Sequence, residues 1–208
     1  MSSPNLPAGY ADVSIIAANY NNGRFLSEFI ESIARNTVLP RELILVDDGS
    51  TDDSIKRLES YTHLPWLKVI RLDRNYGLTY SLNHALDLAE GTYVMRADPD
   101  DIFLPHRIEA QVSFLDTHPG TDIVGSNVTY FREPRVVLIN QSNFPESHSA
   151  IAKRIQMGEH GIQHPTVMVR ARLFAGFRYQ PLFPGEDYEL FARMLKNGAT
   201  FANIRESL

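Results

Sequence analysis

Gly91-Thr92-Tyr93-Val94-Met95-Arg96-Ala97-Asp98-Pro99-Asp100-Asp101 reads as a short buried strand that ends in three carboxylates. Gathering three carboxylates at a strand's carboxyl end is costly unless a cation neutralises them. Oxygen-only ligands favour a hard divalent ion, Mg²⁺ or Mn²⁺, which usually shares its coordination with substrate phosphates. The plain alternative is a solvated turn that caps a helix starting at Pro105. That alternative weakens because comparable polar turns follow other strand-like runs in the chain.

Upstream, Val13 to Ala17, Leu43 to Val46 and Trp66 to Leu72 are apolar runs of strand length. Each leads into a polar turn, beginning at Asn19, Asp47 and Asn75. Each turn leads into an amphipathic stretch. Phe25, Phe29, Ile30 and Ile33 recur at helical spacing, as do Leu78, Leu82, Ala85, Leu86 and Ala89. After Asp47-Asp48-Gly49, Ser50 or Thr51 is the expected N-cap, with Asp52 and Asp53 in the first turn. Downstream of the acidic turn, Ile108, Val112 and Leu115 mark a fourth helix, and Asp122 to Gly125 a fifth strand. Four strand–helix repeats predict an α/β fold with a parallel, doubly wound sheet. Ligands of such sheets bind outside the carboxyl ends of the strands, where all four polar turns fall.

The remainder is less regular. Residues 127 to 147 suggest a hairpin and loop, and Ser147 to Met157 a short helix. Thr166 to Val169 suggests a strand. Glu186 to Asn197 reads as a helix stopped by Gly198, and Thr200 to Ile204 as a last strand. The expected division is a lead over residues 1–11, a nucleotide-binding half over 12–126, and an acceptor-side half of the same domain over 127–208.

Composition narrows the function. The 208 residues are 43% hydrophobic, enough for a full core, and carry a formal charge of −5. A nucleic-acid binder should show a basic footprint instead. Without cysteine there is neither a disulfide framework nor a thiolate metal site. No apolar run reaches about 18 residues, the length of a membrane-spanning helix. The first residues hold no signal-like pattern, so a cytoplasmic location is expected, with the inner face of the membrane as a possible place of work. The sequon Asn127-Val128-Thr129 reads as chance.

Several residues are candidates for chemistry. Asp47 and Asp48 can accept hydrogen bonds from a ribose or a base, or can simply shape a helix entry. Tyr20 can stack on a nucleobase or sit half-buried in its turn. Asn75 can serve the ligand or cap, whereas Asn83, within a helix, reads as structural. Arg96 can counter the acidic turn. Glu186 and Asp187 open a helix, where a carboxylate is the ordinary cap, and serve catalysis only if they face the same site. His164 can touch phosphate or acceptor, or be structural. Arg170, Arg172 and Arg178 read as a solvated basic cluster. With no glycine-rich phosphate loop, neutralising phosphate falls to a metal.

In order, Val13-Ser14-Ile15-Ile16 with Tyr20-Asn21-Asn22, Leu45-Val46-Asp47-Asp48-Gly49-Ser50-Thr51-Asp52, Asn75-x-Gly77, Asp98-x-Asp100-Asp101 and Glu186-Asp187 resemble family 2 glycosyltransferases of the GT-A fold. The likeness covers residues 12 to about 205. It implies a Rossmann-like, mostly parallel sheet with helices on both faces and a smaller acceptor-side region. It implies an inverting, metal-dependent transferase. The enzyme would move a sugar from a nucleotide diphosphate, UDP above all, to an acceptor hydroxyl in cell-surface polysaccharide or glycoconjugate synthesis.

Carried over by position, Tyr20 and Asp48 contact the base, supported by Asp47. Ala18 stands where some members place a nucleotide-contacting Thr, and Asn75 joins this donor set. Asp98 approaches the ribose, Asp100 ligates Mg²⁺ or Mn²⁺ with Asp101 nearby, and Asp187 is the base. Glu186 and His164 fall on the acceptor or phosphate side. The acceptor is a glycan or lipid-linked glycan. No Gln-x-x-Arg-Trp follows Asp187, which argues against processive synthesis. Relatives usually continue past this C-terminus, so truncation is expected there. The main rival is a nucleotide-sugar-binding module without catalysis. A haloacid-dehalogenase-like phosphatase needs its nucleophile near the first strand. A sugar nucleotidyltransferase needs a Gly-rich entry loop that is absent.

Overall fold

The structure, a computed structural model, describes residues 6–132, 136–139, 141–182 and 184–208. Residues 1–5 of the expected lead therefore lie outside the described residues. Alternation decides the layering. Along β1 (Tyr10–Asn19), Val13, Ile15 and Ala17 enter one apolar layer while Ile16 enters the other. In β2 (Leu39–Asp47), Leu43 and Leu45 face the first layer, Ile44 and Val46 the second. A strand buried on both faces in this way must sit inside a two-sided sheet.

Helices cover both faces. α1 (Gly23–Ala34), α2 (Ser54–Glu59) and α4 (Arg107–Thr117) pack on the first layer through residues such as Phe29, Leu58 and Ile108. α3 (Leu78–Leu88), α5 (His148–Gln156) and α6 (Glu186–Lys196) pack on the second through Leu82, Ile155 and Met194. β3 (Leu67–Arg71), β4 (Tyr93–Arg96), β5 (Ile123–Asn127), β8 (Met168–Arg170) and β9 (Phe201–Ser207) complete a seven-stranded sheet in the order β3-β2-β1-β4-β8-β5-β9. All its pairs are parallel except those of β8, which runs antiparallel between β4 and β5. The expected, mostly parallel sheet is thus present. A hairpin of β6 (Tyr130–Arg132) and β7 (Val136–Ile139) stands apart from it. Among the described residues no helix is long and apolar enough to cross a membrane.

Some local expectations fail for physical reasons. α2 begins at Ser54, not beside Ser50 or Thr51, because those two groups are used elsewhere. Ser50 Oγ accepts from Asn21 N at 3.0 Å, and Thr51 Oγ1 donates to Asn21 Oδ1 at 3.4 Å. α4 begins at Arg107, two residues after Pro105, whose carbonyl accepts from Thr37 N at 2.8 Å. The three arginines are not a free basic cluster. Arg170 donates to Thr121 O and Leu115 O, Arg172 pairs with Asp122, and Arg178 pairs with Asp87. Asn127 is only 3% exposed, and its Oδ1 accepts from Ser142 Oγ and Phe144 N, so the sequon is a structural asparagine.

Candidate active site

The chain runs outward from β1 to β2 and β3, then crosses back to β4 on the other side of β1. The carboxyl ends of β1 and β4 therefore flank a topological switch point, the usual ligand crevice of an open α/β sheet. A cleft of about 610 Å³ lies there. Ala18 and Tyr20 reach it from the end of β1, Asp48 from the end of β2, and Asn75 from the loop after β3. Asp98 enters from the end of β4 and Glu186 from the first turn of α6.

Hydrogen bonds between turns hold the β1–β3 wall. Asp48, 3% exposed, accepts from Tyr76 N at 2.7 Å and Gly77 N at 2.8 Å, which ties β2 to the entry of α3. Asp47 lies behind the cleft and does not line it. Its two oxygens accept from Asn19 Nδ2 at 2.8 Å and Ser50 N at 3.0 Å. Asn21 takes a left-handed φ of 54°, which Asn tolerates better than most residues. Its side chain accepts from the turn after β2. Asp52 Oδ2 then accepts from Gly23 N at 2.9 Å, at the start of α1. Gly49 (φ 71°) is required, because a Cβ there would lie 2.4 Å from Arg74 C.

The β4 wall is strongly charged. Arg96, 2% exposed, donates to Asp98 Oδ1 at 2.5 Å and to the Ala97 carbonyl. Burial opposes its charge, but Asp98 and its neighbours more than offset this, so the guanidinium stays protonated. Asp101 is pushed up to about 6, first by burial and then by Asp98 and Asp100. Arg107 is lowered to about 10 by burial, with Asp101 pulling the other way. Asp100 is exposed on the same turn.

The second half brings further groups to this wall. Asn83 exchanges hydrogen bonds with the backbone of Tyr179, at 2.9 and 3.0 Å, confirming it as structural. Tyr179 OH meets His164 Nε2 at 2.8 Å. His164 is buried and held well below its ordinary pKa by burial and by Arg96. It does not line the cleft. Asp187 also does not line it, but interacts electrostatically with Tyr179 from the first turn of α6. Glu186 Oε2 accepts from Gly185 N at 3.2 Å, whereas Asp187 makes no hydrogen bond among the described residues.

So the structure gathers Ala18, Tyr20, Asp48, Asn75, Asp98 and Glu186 in one cleft, with Asp47 supporting it from behind. Asp101 lines a different cavity beside it. Asn21 and Tyr179 carry structural duties that had no assigned part. Asn21 was visible as a polar turn residue, but Tyr179 lies in the irregular segment and gave no signal.

For the expected metal, the donor set is the test. Among the described residues no three His, Cys, Asp or Glu side chains form a ready cage. Asp98, Asp100 and Asp101 nevertheless share one turn, and the charges of the first two add to burial in raising Asp101. An incomplete carboxylate set suits a hard cation whose remaining ligands come from a substrate diphosphate. The residues fit such an ion.

A two-faced, mostly parallel α/β sheet with an acid-lined cleft at its switch point defines a Rossmann-like fold with its ligand crevice in the usual place. The chain belongs to glycosyl transferase family 2, whose family model matches residues 14–181. EpsE of Bacillus subtilis is 34% identical, the match covering 94% of this chain and 71% of EpsE. The amylovoran biosynthesis glycosyltransferase AmsE of Erwinia amylovora is 30% identical, over 94% of this chain and 74% of AmsE.

Among solved structures, TarS of S. aureus in complex with UDP aligns at a TM-score of 0.75 with 25% identity. That match covers 94% of this chain and 58% of the TarS chain. The mannosyltransferase PcManGT of Pyrobaculum calidifontis, in complex with GDP-Man and Mn²⁺, aligns at 0.71 with 19% identity. It covers 94% and 55% of the two chains and supports the GT-A fold.

Proposed function

We propose that this protein is an inverting, metal-dependent glycosyltransferase that moves a sugar from a UDP-sugar to an acceptor hydroxyl. One observation carries the reading. The cleft of about 610 Å³ at the switch point is lined by Tyr20, Asp48, Asp98 and Glu186 together. Its volume lies within the roughly 300–1,000 Å³ of small-ligand sites. The UDP and UDP-GlcNAc complexes of TarS support a UDP donor. So does an Escherichia coli relative, 28% identical, named as a UDP-Gal:alpha-D-GlcNAc-diphosphoundecaprenol beta-1,3-galactosyltransferase. That name and the amylovoran role of AmsE support a part in cell-surface polysaccharide or glycoconjugate synthesis.

In this reading Tyr20 and Asp48 hold the base, Asn75 borders it, and Asp98 takes the ribose. Asp100, with Asp101 adding its charge close by, would hold Mg²⁺ or Mn²⁺. When bound, that ion offsets the charge that develops on the leaving diphosphate. Arg96 fixes the Asp98 carboxylate. Asp187 is the general base: its carboxylate is unspent, whereas that of Glu186 already accepts from Gly185 N. The acceptor oxygen attacks the anomeric carbon as its proton passes to Asp187. The bond from that carbon to the diphosphate oxygen breaks, UDP leaves, and the configuration inverts.

The test is a panel of UDP-sugars with Mn²⁺ or Mg²⁺, read as UDP release. Metal-dependent release that falls in Asp187→Asn and persists in Glu186→Gln supports the reading. UDP-sugar binding without release under any condition supports a binding module instead.

A further inference from the structure

The loop from β4 to α4 carries the three carboxylates, and its two ends are anchored separately. At the far end, Phe103 N donates to Ser32 Oγ at 3.1 Å and Ile108 N to Asn36 Oδ1 at 3.3 Å. At the near end the anchor is a buried cation. Arg107, the first residue of α4, is 3% exposed. Its Nη2 donates to Arg96 O at 3.0 Å and to Pro165 O at 2.6 Å. Its Nε donates to Gln111 Oε1 at 3.3 Å, and the guanidinium carbon lies 3.9 Å from the centroid of the Phe103 ring. Gln111, fully buried, places its amide on Val124 O at 3.0 Å and Thr166 O at 2.7 Å.

These bonds meet where the chain enters the acidic turn. The last β4–β8 pair is Met95 with Met168, and beyond it Arg96 O is held by Arg107 rather than by β8. The Arg96 side chain holds Asp98 Oδ1. Carbonyl and side chain of one residue are thus both fixed at the mouth of the turn. Pro165 O ties the same point to the 3₁₀ turn His164–Thr166 that precedes β8. Burial opposes the charge of Arg107, and Asp101 leads the charges that support it.

We infer that Arg107 is a positioning residue for the acidic turn. By joining Arg96 O to Pro165 O it sets how Asp98, Asp100 and Asp101 leave β4, and through them the affinity of the turn for a divalent cation. The inference rests on the metal reading above and adds to it a residue that does not line the donor cleft. Groups that orient metal ligands from behind change affinity by about 10–100-fold when replaced. The sign separates this role from a purely electrostatic one. A guanidinium near three carboxylates repels a second cation. If Arg107 acted by charge alone, its removal would tighten metal binding. If it acts by position, its removal weakens it.

The experiment is Mn²⁺ binding in the presence of UDP, read by electron paramagnetic resonance. The samples are the full chain, Arg107→Lys, Arg107→Met and Arg170→Lys, each well below its own melting temperature, with UDP affinity in EDTA taken in parallel. Lys keeps the charge but lacks the planar fork of donors, and Met removes the charge. Arg170 is the control. It also donates to backbone carbonyls, Thr121 O and Leu115 O, but at the amino end of β4, opposite Tyr93. Both Arg107 variants should bind Mn²⁺ about 10–100-fold more weakly. Arg170→Lys should stay within about twofold of the parent, as should UDP affinity in EDTA throughout. Either Arg107 variant decides the question by itself should the other not fold.

Unchanged Mn²⁺ affinity in Arg107→Lys, tighter binding in Arg107→Met, or an equal loss in Arg170→Lys overturns the inference. So does a loss of metal-free UDP affinity as large as the loss of Mn²⁺ affinity. Each of these leaves the metal reading standing. A parent chain that binds UDP but takes up no Mn²⁺ removes the metal reading, and the inference falls with it.

Discussion

The two sides of the Asp98–Asp101 turn are built on opposite plans. On the donor side, the turns after β1, β2 and β3 hold one another. Asp48, Asp52 and Asn21 each use a side-chain oxygen on a backbone N–H of a neighbouring turn, while Asp47 accepts from Ser50 N in its own turn and from Asn19 Nδ2 of β1. On the other side, a hairpin outside the sheet and a segment of short 3₁₀ turns surround a cavity whose Asp101 and Gln163 side chains make no hydrogen bond among the described residues. A wall fixed in advance loses little freedom when it binds a constant group such as a nucleotide.

That contrast can be broken at several points. The largest effect is expected from Asp187→Asn, which leaves the donor wall intact and removes the base. Transfer should fall by about 10²–10⁴-fold with UDP affinity unchanged, measured by steady-state kinetics and calorimetry. Equal loss of both would place Asp187 in the donor wall.

Asp48→Ala attacks that wall directly. It removes two hydrogen bonds to a carboxylate, each worth about 1.5–3 kcal/mol. UDP should bind at least about tenfold more weakly.

Gly49→Ala should cost roughly 1–3 kcal/mol, from its positive φ and the clash with Arg74. In a chain of this size that lowers the melting temperature by about 2–4 °C per kcal/mol.

The smallest effect concerns acid stability at the opposite end of the sheet. Burial pushes Glu42 up, but hydrogen bonds from Lys68, Ser14 and the Glu90 N–H outweigh it and leave the pKa lowered. Its stabilisation is therefore complete above the ordinary value of 4.5 and is lost as pH falls through the folded-state value. Glu42→Gln should melt below the parent near neutral pH, and the gap should close under acid.

Much of this plan was legible in the sequence, and unevenly. Strands buried on both faces show as continuous apolar runs, so β1, β2 and β4 could be read from Val13–Ala17, Leu43–Val46 and Tyr93–Ala97. Their turns could be read because Asn, Asp and Gly mark chain reversals. What those turns do to one another could not. Asn21 supplants the caps expected at Ser50 and Thr51 through contacts about thirty residues away, which no local pattern records. The antiparallel β8 is only three residues long and enters the sheet between β4 and β5 by tertiary pairing. Asp100 and Asp101 look alike in sequence, yet Asp101 lines the second cavity, because the direction of a side chain in a tight turn depends on the packed fold.

The most direct measurement is a crystal structure of the chain with UDP and Mn²⁺. The account predicts uracil beside Tyr20 and Asp48, the diphosphate beside Asp98 and Asp100, and no nucleotide in the cavity lined by Asp101 and Gln163. UDP bound in that cavity, or on any surface away from the carboxyl ends of β1 and β4, would contradict it.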